Sequence, residues 1–318
     1  MQTISDVTVN LALSYPKLIN ALQRAFTEDI IVPPRLHFDI ENPSASRETT
    51  LLMMPAWQAG DVAGIKLVTV APDNHQYQLP SIQGTYLLFD FKTGKLKASM
   101  DAPSLTAKRT AAASALASKF LSREDSKTLL VVGTGTLSSQ LIEAHASVRP
   151  IEVVYVWGRS FAKAELVCQQ VKHLGLECIA VDDLKQHVNK ADIISCATLS
   201  KEPLIFGKWL KKGQHLDMVG AYRPDMREMD DECLLRSNIF VDNMESAVRE
   251  TGDLAIPIKA GVIQPKHIKA DLFSMCEQNF IFERNNEDIT IFKSVGHALE
   301  DLTAAKLVAE YVNTNEML

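Results

Sequence analysis

The segment from Lys127 to Ser139, KTLLVVGTGTLSS, constrains the fold of this chain more than any other stretch. Residues 129–132 form a short apolar run, typical of a central parallel strand covered on both faces. Gly133, Gly135 and Ser138 follow in the order GxGxxS. In a dinucleotide-binding turn the first glycine makes the tight turn, and the second lets the backbone approach a pyrophosphate at the helix N-terminus. The third small residue lets the helix pack on the strand. The segment therefore predicts a strand, a phosphate-binding turn and a helix.

The sequence around this segment decides whether the glycine pattern indicates a dinucleotide-binding turn. Such strings also occur in ordinary turns, so the interpretation requires a βαβ unit around them. A helix-length segment, 137–147, separates the turn from a second strand-length segment, 151–157. Strand-length and helix-length segments then alternate as far as Glu250. This alternation predicts an α/β domain of the Rossmann type.

The end of the second predicted strand bears on the choice of cofactor. An NAD site usually has Asp or Glu about 20 residues past the glycines, where it holds the ribose 2′-hydroxyl. This chain has Gly158, Arg159 and Ser160 there instead. Arginine can bind a 2′-phosphate through two hydrogen bonds. We therefore expect NADP(H) to be favoured and NAD(H) to be accepted, the alternative being that Arg159 is an ordinary loop arginine.

Composition excludes several classes of protein. The 318 residues have room for two domains, and a net charge of −6 without long Lys/Arg clusters argues against nucleic-acid binding. The N-terminus lacks the basic and apolar regions of a signal peptide, and no apolar run approaches the ~18 residues needed to span a bilayer. We therefore expect a cytoplasmic protein with no membrane partner. Five cysteines without CxxC spacing and eight scattered histidines predict reduced thiols and no metal site.

The segments outside the 127–250 region predict a different kind of structure. Residues 5–26 have apolar side chains at helical spacing, and 106–121 form an alanine-rich helical segment that leads to a boundary near 122–126. Residues 253–265, which contain Pro257, are expected to form a loop, and 299–312 a long amphipathic helix. Between the first two helical regions we expect a largely antiparallel meander of four strands, at 50–55, 63–70, 83–90 and 95–100.

Three cations in this region are candidate ligands of a carboxylate. Lys66 lies in the otherwise apolar strand GIKLVTV, where an ammonium group needs an edge position or a charged partner. Arg35 follows two prolines, and Arg109 lies early in the alanine-rich helix. These side chains can converge on one carboxylate, although spacing alone favours a surface charge at each position.

Several strings together resemble the ornithine cyclodeaminase/mu-crystallin family, and they extend over nearly the whole chain. They are MPA at 54–56, KLVTV at 66–70, LPS at 79–81, TAKRTAAASALASKFL at 106–121, GTG at 133–135, VGAYRPDMREMDDE at 219–232 and FKSVGHALEDLTAAKL at 292–307.

This resemblance implies a Rossmann dinucleotide-binding domain, residues 123–290, inserted in an α+β substrate-binding and dimerisation domain, residues 1–122 and 291–318. It also implies a homodimer. By similarity, the substrate carboxylate is held by Arg35, Lys66 and Arg109, with Val295 beside the substrate. The cofactor-lining positions, including those of the glycine turn, are Ser81, Arg109, Gly133, Thr134, Gly135, Thr136, Leu137, Gly158, Arg159, Ser160, Thr198, Val219 and Ser294.

One departure from the family pattern bears on the activity. Ornithine cyclodeaminases have a catalytic aspartate two residues before a proline, where this chain has Tyr222 in GAYRP. The chain is therefore more similar to the ketimine reductases, which implies NAD(P)H-dependent reduction of a cyclic imino acid. The expected reaction is Δ1-pyrroline-2-carboxylate to L-proline, with Δ1-piperideine-2-carboxylate to L-pipecolate beside it, and with Lys66 as the catalytic residue that controls the proton. Such imines arise in proline metabolism and hydroxyproline catabolism.

Three alternative functions remain open from the sequence. An ornithine cyclodeaminase would convert L-ornithine to L-proline and ammonia. An alanine dehydrogenase would use pyruvate and free ammonia. A non-catalytic protein of the mu-crystallin type would bind NADPH and another ligand without turnover.

Overall fold

The computed structural model describes residues 1–43 and 48–315. Residues 44–47 and 316–318, which the sequence analysis assigns to the substrate-binding domain, lie outside the described residues. The chain divides into two compact units, which are Met1–Thr110 with His297–Leu318, and Ala111–Gly296. Within the described ranges, no helix has both the length and the apolar character needed to cross a bilayer.

The first unit contains a seven-stranded sheet in the order β1-β7-β6-β5-β4-β2, with β3 also paired to β4. Strand β1 runs parallel to β7, and the other pairs are antiparallel. The expected meander is thus present as β4 to β7. The strands are β1 (Gln2–Ile4), β2 (Ile30–Ile31), β3 (Leu36–Ile40), β4 (Thr49–Gln58), β5 (Val62–Val70), β6 (Ile82–Asp90) and β7 (Lys95–Asp101).

Helices from both parts of the first unit cover one face of this sheet. Successive side chains of a strand point to opposite faces, and in β5 the buried positions are Val62, Gly64 and Lys66. The last helix packs against β4, β5 and β6 and against the second helix. Lys66 therefore lies on the face that the last helix covers. The helices are α1 (Asp6–Ala12), α2 (Tyr15–Ala25), the beginning of α3 (Ala102–Leu121) and α11 (Ala298–Asn315).

The second unit contains an eight-stranded sheet in which every pair is parallel. Its order is β10-β9-β8-β11-β12-β15-β13-β14. The chain starts in the middle at β8, adds β9 and β10 on one side, and then crosses to β11 on the other. This reversal is the Rossmann arrangement. The strands are β8 (Thr128–Val132), β9 (Val153–Trp157), β10 (Glu177–Val181), β11 (Ile193–Cys196), β12 (His215–Met218), β13 (Asn238–Val241), β14 (Ile268–Asp271) and β15 (Thr290–Lys293).

Apolar side chains cover both faces of this sheet. Leu130, Val132 and Ile194 belong to one buried cluster, and Leu129 and Val131 belong to another. The central strands are buried on both sides, which explains why 129–132 form a continuous apolar run. The helices of this unit, besides the end of α3, are α4 (Thr136–Ala146), α5 (Phe161–Gln170), α6 (Leu184–Val188), α7 (Asp231–Leu235), α8 (Met244–Glu250), α9 (Gly252–Lys259) and α10 (Leu272–Cys276).

The boundaries of the units differ from those in the sequence analysis. Strand β15 lies between β12 and β13, so residues 291–293 belong to the second unit rather than to the substrate-binding domain. The end of α3 also belongs there, because Arg149 donates hydrogen bonds to the carbonyl oxygens of Ser118 and Ser122. The first boundary falls after Thr110, not near 122.

The prediction of a loop at residues 253–265 was wrong for residues 253–259. Residues 252–259 form helix α9, with Pro257 inside it. Thr251 caps the helix, since its side chain accepts a hydrogen bond from the backbone N–H of Asp253. Proline is tolerated in the first turn of a helix but costs a backbone hydrogen bond farther in. Pro257 removes one backbone hydrogen bond from this helix, and its side chain and that of Leu254 are buried.

Candidate functional site

A groove of about 360 Å³ lies at the carboxyl ends of the central parallel strands of the second unit. It is bounded by the loops that follow β8, β9 and β11. Strand order reverses between β8 and β11, and this is where parallel α/β sheets bind ligands. The lining residues are Gly133, Thr134, Gly135, Trp157, Gly158, Arg159, Lys163, Ala197, Thr198, Leu199, Ser200 and Leu204.

The glycines at the groove differ in whether the structure leaves space for a side chain at their positions. Gly133 has φ +130°, and a Cβ there would lie 2.7 Å from the carbonyl oxygen of Ala197. A Cβ on Gly158 would lie 2.5 Å from Cγ2 of Thr134. Around Gly135, by contrast, a Cβ would meet no heavy atom within 4 Å. Ser138 fixes the turn by donating a hydrogen bond of 3.0 Å to the carbonyl oxygen of Gly133.

The N-terminus of α4 is open toward an anion. Gly135 is the N-cap residue, and no side chain caps the helix there. The first N–H groups of a helix carry partial positive charge and bind phosphate when no side chain takes their place. Together with the open space at Gly135, this arrangement fits the pyrophosphate of a dinucleotide.

The wall beyond β9 is positively charged. Arg159 lies in the loop after the strand, and Lys163 lies in the first turn of α5, so two cations line the same part of the groove. None of the groove-lining residues is Asp or Glu. Lys163 was not predicted from the sequence, because its position in the helix, rather than any motif, brings it to the groove.

The structure places the remaining predicted cofactor residues as follows. Thr136 and Leu137 begin α4, and Ser160 is the N-cap of α5. Val219 and Ser294 follow β12 and β15, and their N–H groups donate to the carbonyl oxygens of Cys196 and Met218. Ser81 lies in the first unit, directly before β6, and is exposed. Contact of these residues with a cofactor stays a prediction.

A buried carboxylate joins two of the loops at the groove. Glu228 is fully buried and accepts hydrogen bonds from the N–H and the hydroxyl of Thr198, at 2.6 and 2.8 Å. Its other oxygen accepts from the N–H groups of Gly220 and Ala221, at 2.7 and 3.1 Å. Burial raises the pKa of Glu228 to about 7, with the charge of Lys293 opposing and that of Asp253 adding to the rise. Glu228 was not predicted from the sequence as a site residue.

A second buried carboxylate anchors the backbone of Glu228. Oδ1 of Asp253 accepts hydrogen bonds from the N–H groups of Glu228 and Met229, at 2.8 and 3.2 Å. Nζ of Lys293 lies 3.4 Å from Oδ2 of Asp253 and donates to the carbonyl oxygen of Met218. These groups form a buried charged network behind the groove.

The first unit holds its own buried charge cluster. Nζ of Lys66 lies 2.8 Å and 3.0 Å from the two carboxylate oxygens of Asp301. Nε of Arg109 lies 2.9 Å from Asp301, and NH1 of Arg109 lies 2.6 Å from Glu300. All four side chains are buried. Lys66 thus has the charged partner that its apolar strand required, and Arg109 contacts the same carboxylate, whereas binding of a substrate carboxylate by these cations stays a prediction.

The protonation of this cluster follows from burial and from its charges. Burial lowers the pKa of Lys66 to about 8, with the charge of Asp301 opposing the fall. Burial acts to raise the pKa of Asp301, but the charges of Arg109 and Lys66 hold it below its usual value. Two cations thus face two carboxylates, and a buried ion cluster is tolerated when its charges are paired in this way.

Two predicted substrate residues lie outside these contacts. Arg35 is half-buried between β2 and β3. Val295 follows β15 in the second unit, where its N–H donates a hydrogen bond of 2.7 Å to Asp242. A role of either residue in substrate binding stays a prediction. Asp301 and Glu300 were missed by the sequence analysis, which considered only cations for this site.

The model of the ornithine cyclodeaminase/mu-crystallin family matches residues 1–316. The chain belongs to this family.

Relatives and solved structures in the family are similar over nearly the full length. A Δ1-pyrroline-2-carboxylate reductase of Colwellia psychrerythraea is 35% identical over 316 residues, or 98% of this chain and 99% of the relative. The structure of Thermococcus litoralis Δ1-pyrroline-2-carboxylate reductase with NADH and L-proline is 34% identical and has a TM-score of 0.93. It covers 99% of this chain and 98% of its own. An archaeal alanine dehydrogenase dimer with bound NAD is 27% identical, with a TM-score of 0.90, and covers 99% and 97%.

Proposed function

We propose that this member of the family reduces a cyclic imino acid with NAD(P)H, and that its main substrate is Δ1-pyrroline-2-carboxylate. The observation that carries the proposal is the full-length similarity, in sequence and in fold, to Δ1-pyrroline-2-carboxylate reductases. Reduction of Δ1-piperideine-2-carboxylate to L-pipecolate is a second reaction of the same chemistry. Both products are secondary amines with a carboxylate on the adjacent carbon.

The groove of the second unit is the proposed cofactor site. The backbone at Gly135 and the N-terminus of α4 would hold the pyrophosphate, and Arg159 and Ser160 would hold the ribose end. NADP(H) is the proposed preference, supported by the two cations Arg159 and Lys163 and by a groove lining without carboxylates. When bound, a reduced nicotinamide supplies a hydride to the imine carbon.

The buried cluster of the first unit is the proposed substrate site. Lys66 and Arg109 would bind the substrate carboxylate, together with Arg35. Fixing a substrate in a reactive orientation can lower a barrier by several kcal/mol, up to roughly 7–11 kcal/mol in good cases. An imine accepts a hydride more readily when its nitrogen is protonated. With a pKa of about 8, Lys66 is charged at neutral pH and can supply that proton.

Two other activities, that of a cyclodeaminase and that of an alanine dehydrogenase, can be distinguished from the proposed imine reduction. Tyr222, where cyclodeaminases have aspartate, offers no carboxylate to act as a base. The fold is also similar to an alanine dehydrogenase, so reduction of pyruvate with ammonia is the second candidate reaction. By analogy with that dimer we propose a homodimer, and we further propose a cytoplasmic enzyme that acts in proline or hydroxyproline metabolism.

The deciding experiment follows the oxidation of NADPH and of NADH with Δ1-pyrroline-2-carboxylate. Parallel reactions contain pyruvate with ammonia, or L-ornithine with NAD and ammonia detection. We expect rapid oxidation of the reduced cofactor with the imine and not with the other substrates. Ammonia release from ornithine without added reductant would establish a cyclodeaminase instead, and oxidation only with pyruvate and ammonia would establish an alanine dehydrogenase. Cofactor binding without turnover of any substrate would favour a binding protein.

A further inference from the structure

Glu228 joins two segments of backbone by accepting hydrogen bonds from both of them, although the N–H of Gly220 also lies 3.2 Å from the carbonyl oxygen of Cys196. One segment follows β11 and contains Thr198, and the other follows β12 and contains Gly220 and Ala221. Three N–H groups and one hydroxyl from these segments donate to its two oxygens. Unpaired buried donors are costly, and a carboxylate is an acceptor at both oxygens only when it is ionised. No single neutral side chain of this length offers the same set of acceptors.

The two segments approach each other at backbone distance. A Cβ on Gly220 would overlap the backbone N and O atoms of Thr198, and it would also lie 2.6 Å from Oε1 of Glu228. The glycine is therefore required for the carboxylate to reach both loops. Asp253 accepts a hydrogen bond from the N–H of Glu228 at the same time, so the backbone that carries the carboxylate is anchored as well.

Thr198 is the residue that connects this carboxylate to the groove. It lines the groove, and it is also the donor of two of the four hydrogen bonds to Glu228. We propose that Glu228 is a positioning residue for cofactor binding, whose carboxylate holds the wall at Thr198 in the shape that accepts the dinucleotide. This inference rests on the proposed function, in which the groove holds the cofactor.

The test uses the near-isosteric substitution Glu228→Gln in the full-length chain. One oxygen remains an acceptor, but the amide nitrogen now faces N–H donors, so one of the two loops must move. We expect the Kd for NADH or NADPH, measured by fluorescence titration, to rise at least about tenfold, which corresponds to about 1.4 kcal/mol. In steady-state kinetics the KM of the cofactor should rise, while kcat at saturating cofactor and imine changes much less. Loss of structure alone would not produce this separation of KM from kcat.

The matched control is Asp192→Asn. Oδ2 of Asp192 also accepts two backbone hydrogen bonds, from Lys127 and Thr128, at 2.9 and 3.1 Å. Asp192 directly precedes β11 and contacts the amino end of β8, so it lies at the opposite end of these strands from the groove. Asp192→Asn should lower the melting temperature and leave the cofactor Kd unchanged. A second variant, Glu228→Asp, keeps the charge but is one methylene too short to reach both loops, and it should raise the Kd less than Glu228→Gln does.

The outcomes separate this inference from the proposed function. If Glu228→Gln and Glu228→Asp bind the cofactor like the wild type, the positioning role is wrong even though the groove binds a dinucleotide. If Asp192→Asn weakens binding as much as Glu228→Gln, general destabilisation explains the effect and the inference is again wrong. If the wild type binds neither NADH nor NADPH, the proposed function and this inference both fail.

Discussion

The side chains of Lys66 and Asp301 form a buried ion pair with an N–O distance of 2.8 Å, although 235 residues separate them in the chain. The pair connects the middle of strand β5 to the first turn of α11. Asp301 also contacts Arg109, so one carboxylate lies between the two cations that we assign to substrate binding.

Replacing Lys66 by methionine should abolish imine reduction while leaving NADPH binding nearly intact. The apolar side chain fills similar space, but it can neither bind the substrate carboxylate nor deliver a proton. Turnover and NADPH affinity are measured separately, by steady-state kinetics and by fluorescence titration. Lys306→Met is the control, because Lys306 forms a half-buried pair with Asp61 and should leave turnover unchanged. Loss of cofactor binding in Lys66→Met would refute the assignment.

Replacing Asp301 by asparagine should move the pH dependence of the reaction. The charge of Asp301 supports the ammonium form of Lys66, so its removal should lower the pKa of Lys66 below about 8. The alkaline limb of kcat/KM against pH should therefore shift to lower pH. Breaking a buried pair in this way also costs about 3–5 kcal/mol of unfolding free energy. Asp61→Asn, at a half-exposed pair, should cost less than about 1 kcal/mol and should not move the pH profile.

Replacing Arg159 by alanine should distinguish the two nicotinamide cofactors. We expect the Kd for NADPH to rise by about tenfold, because a charge-assisted contact to the 2′-phosphate is lost, while the Kd for NADH stays within about twofold. Lys172→Ala, at an exposed position after α5, serves as the control. A similar loss of affinity for both cofactors would mean that Arg159 does not bind the 2′-phosphate specifically.

The buried His215 should make the protein sensitive to acid. Burial lowers the pKa of His215 to about 3, compared with 6.5 in the unfolded chain. The imidazole is therefore neutral when folded, and its stabilising contribution is full above pH 6.5 and is lost as the pH falls toward 3. The slope approaches about 1.4 kcal/mol per pH unit for one proton.

His215→Asn should reduce this slope, as measured by denaturant unfolding at a series of pH values. The asparagine can keep a hydrogen bond to the hydroxyl of Thr290, which the Nδ1 atom of His215 contacts at 2.9 Å. His173→Asn, at an exposed position, should leave the slope unchanged. An unchanged slope in His215→Asn would show that other groups take up the acid-induced protons.

The strand, turn and helix that border the groove could be predicted from local sequence patterns. The strand, the glycine turn and the helix at 128–146 lie next to each other in the chain, and each is encoded by its own residues. Gly133 is needed for its positive φ, so this position could be identified without knowledge of the rest of the fold. The requirement that Lys66 have a partner could likewise be predicted, because the cost of a buried ammonium does not depend on which partner it finds.

The partners themselves could not be predicted, because no local pattern encodes them. The sequence of α11 resembles an amphipathic helix, in which acidic residues are ordinary, but residues 298–305 are all buried in the structure. Only the packing of this helix brings Asp301 to Lys66 and Glu300 to Arg109. Glu228 is similar, since its four donors come from Thr198 and from the segment at 220–221. The position of β15 in the sheet is also a long-range property, because residues 290–293 pair with β12 and β13 rather than with a sequence neighbour.

The order in which the residues are synthesised has a consequence for the first unit. Residues 111–296 are contiguous, so the second unit can fold on the ribosome as soon as it has emerged, since domains generally fold as units. The first unit must wait for α11. Until residue 301 has been translated, Lys66 and Arg109 have no carboxylates with which to enter the interior. The early segment is therefore expected to stay unfolded until α11 has emerged, while the second unit is already folded.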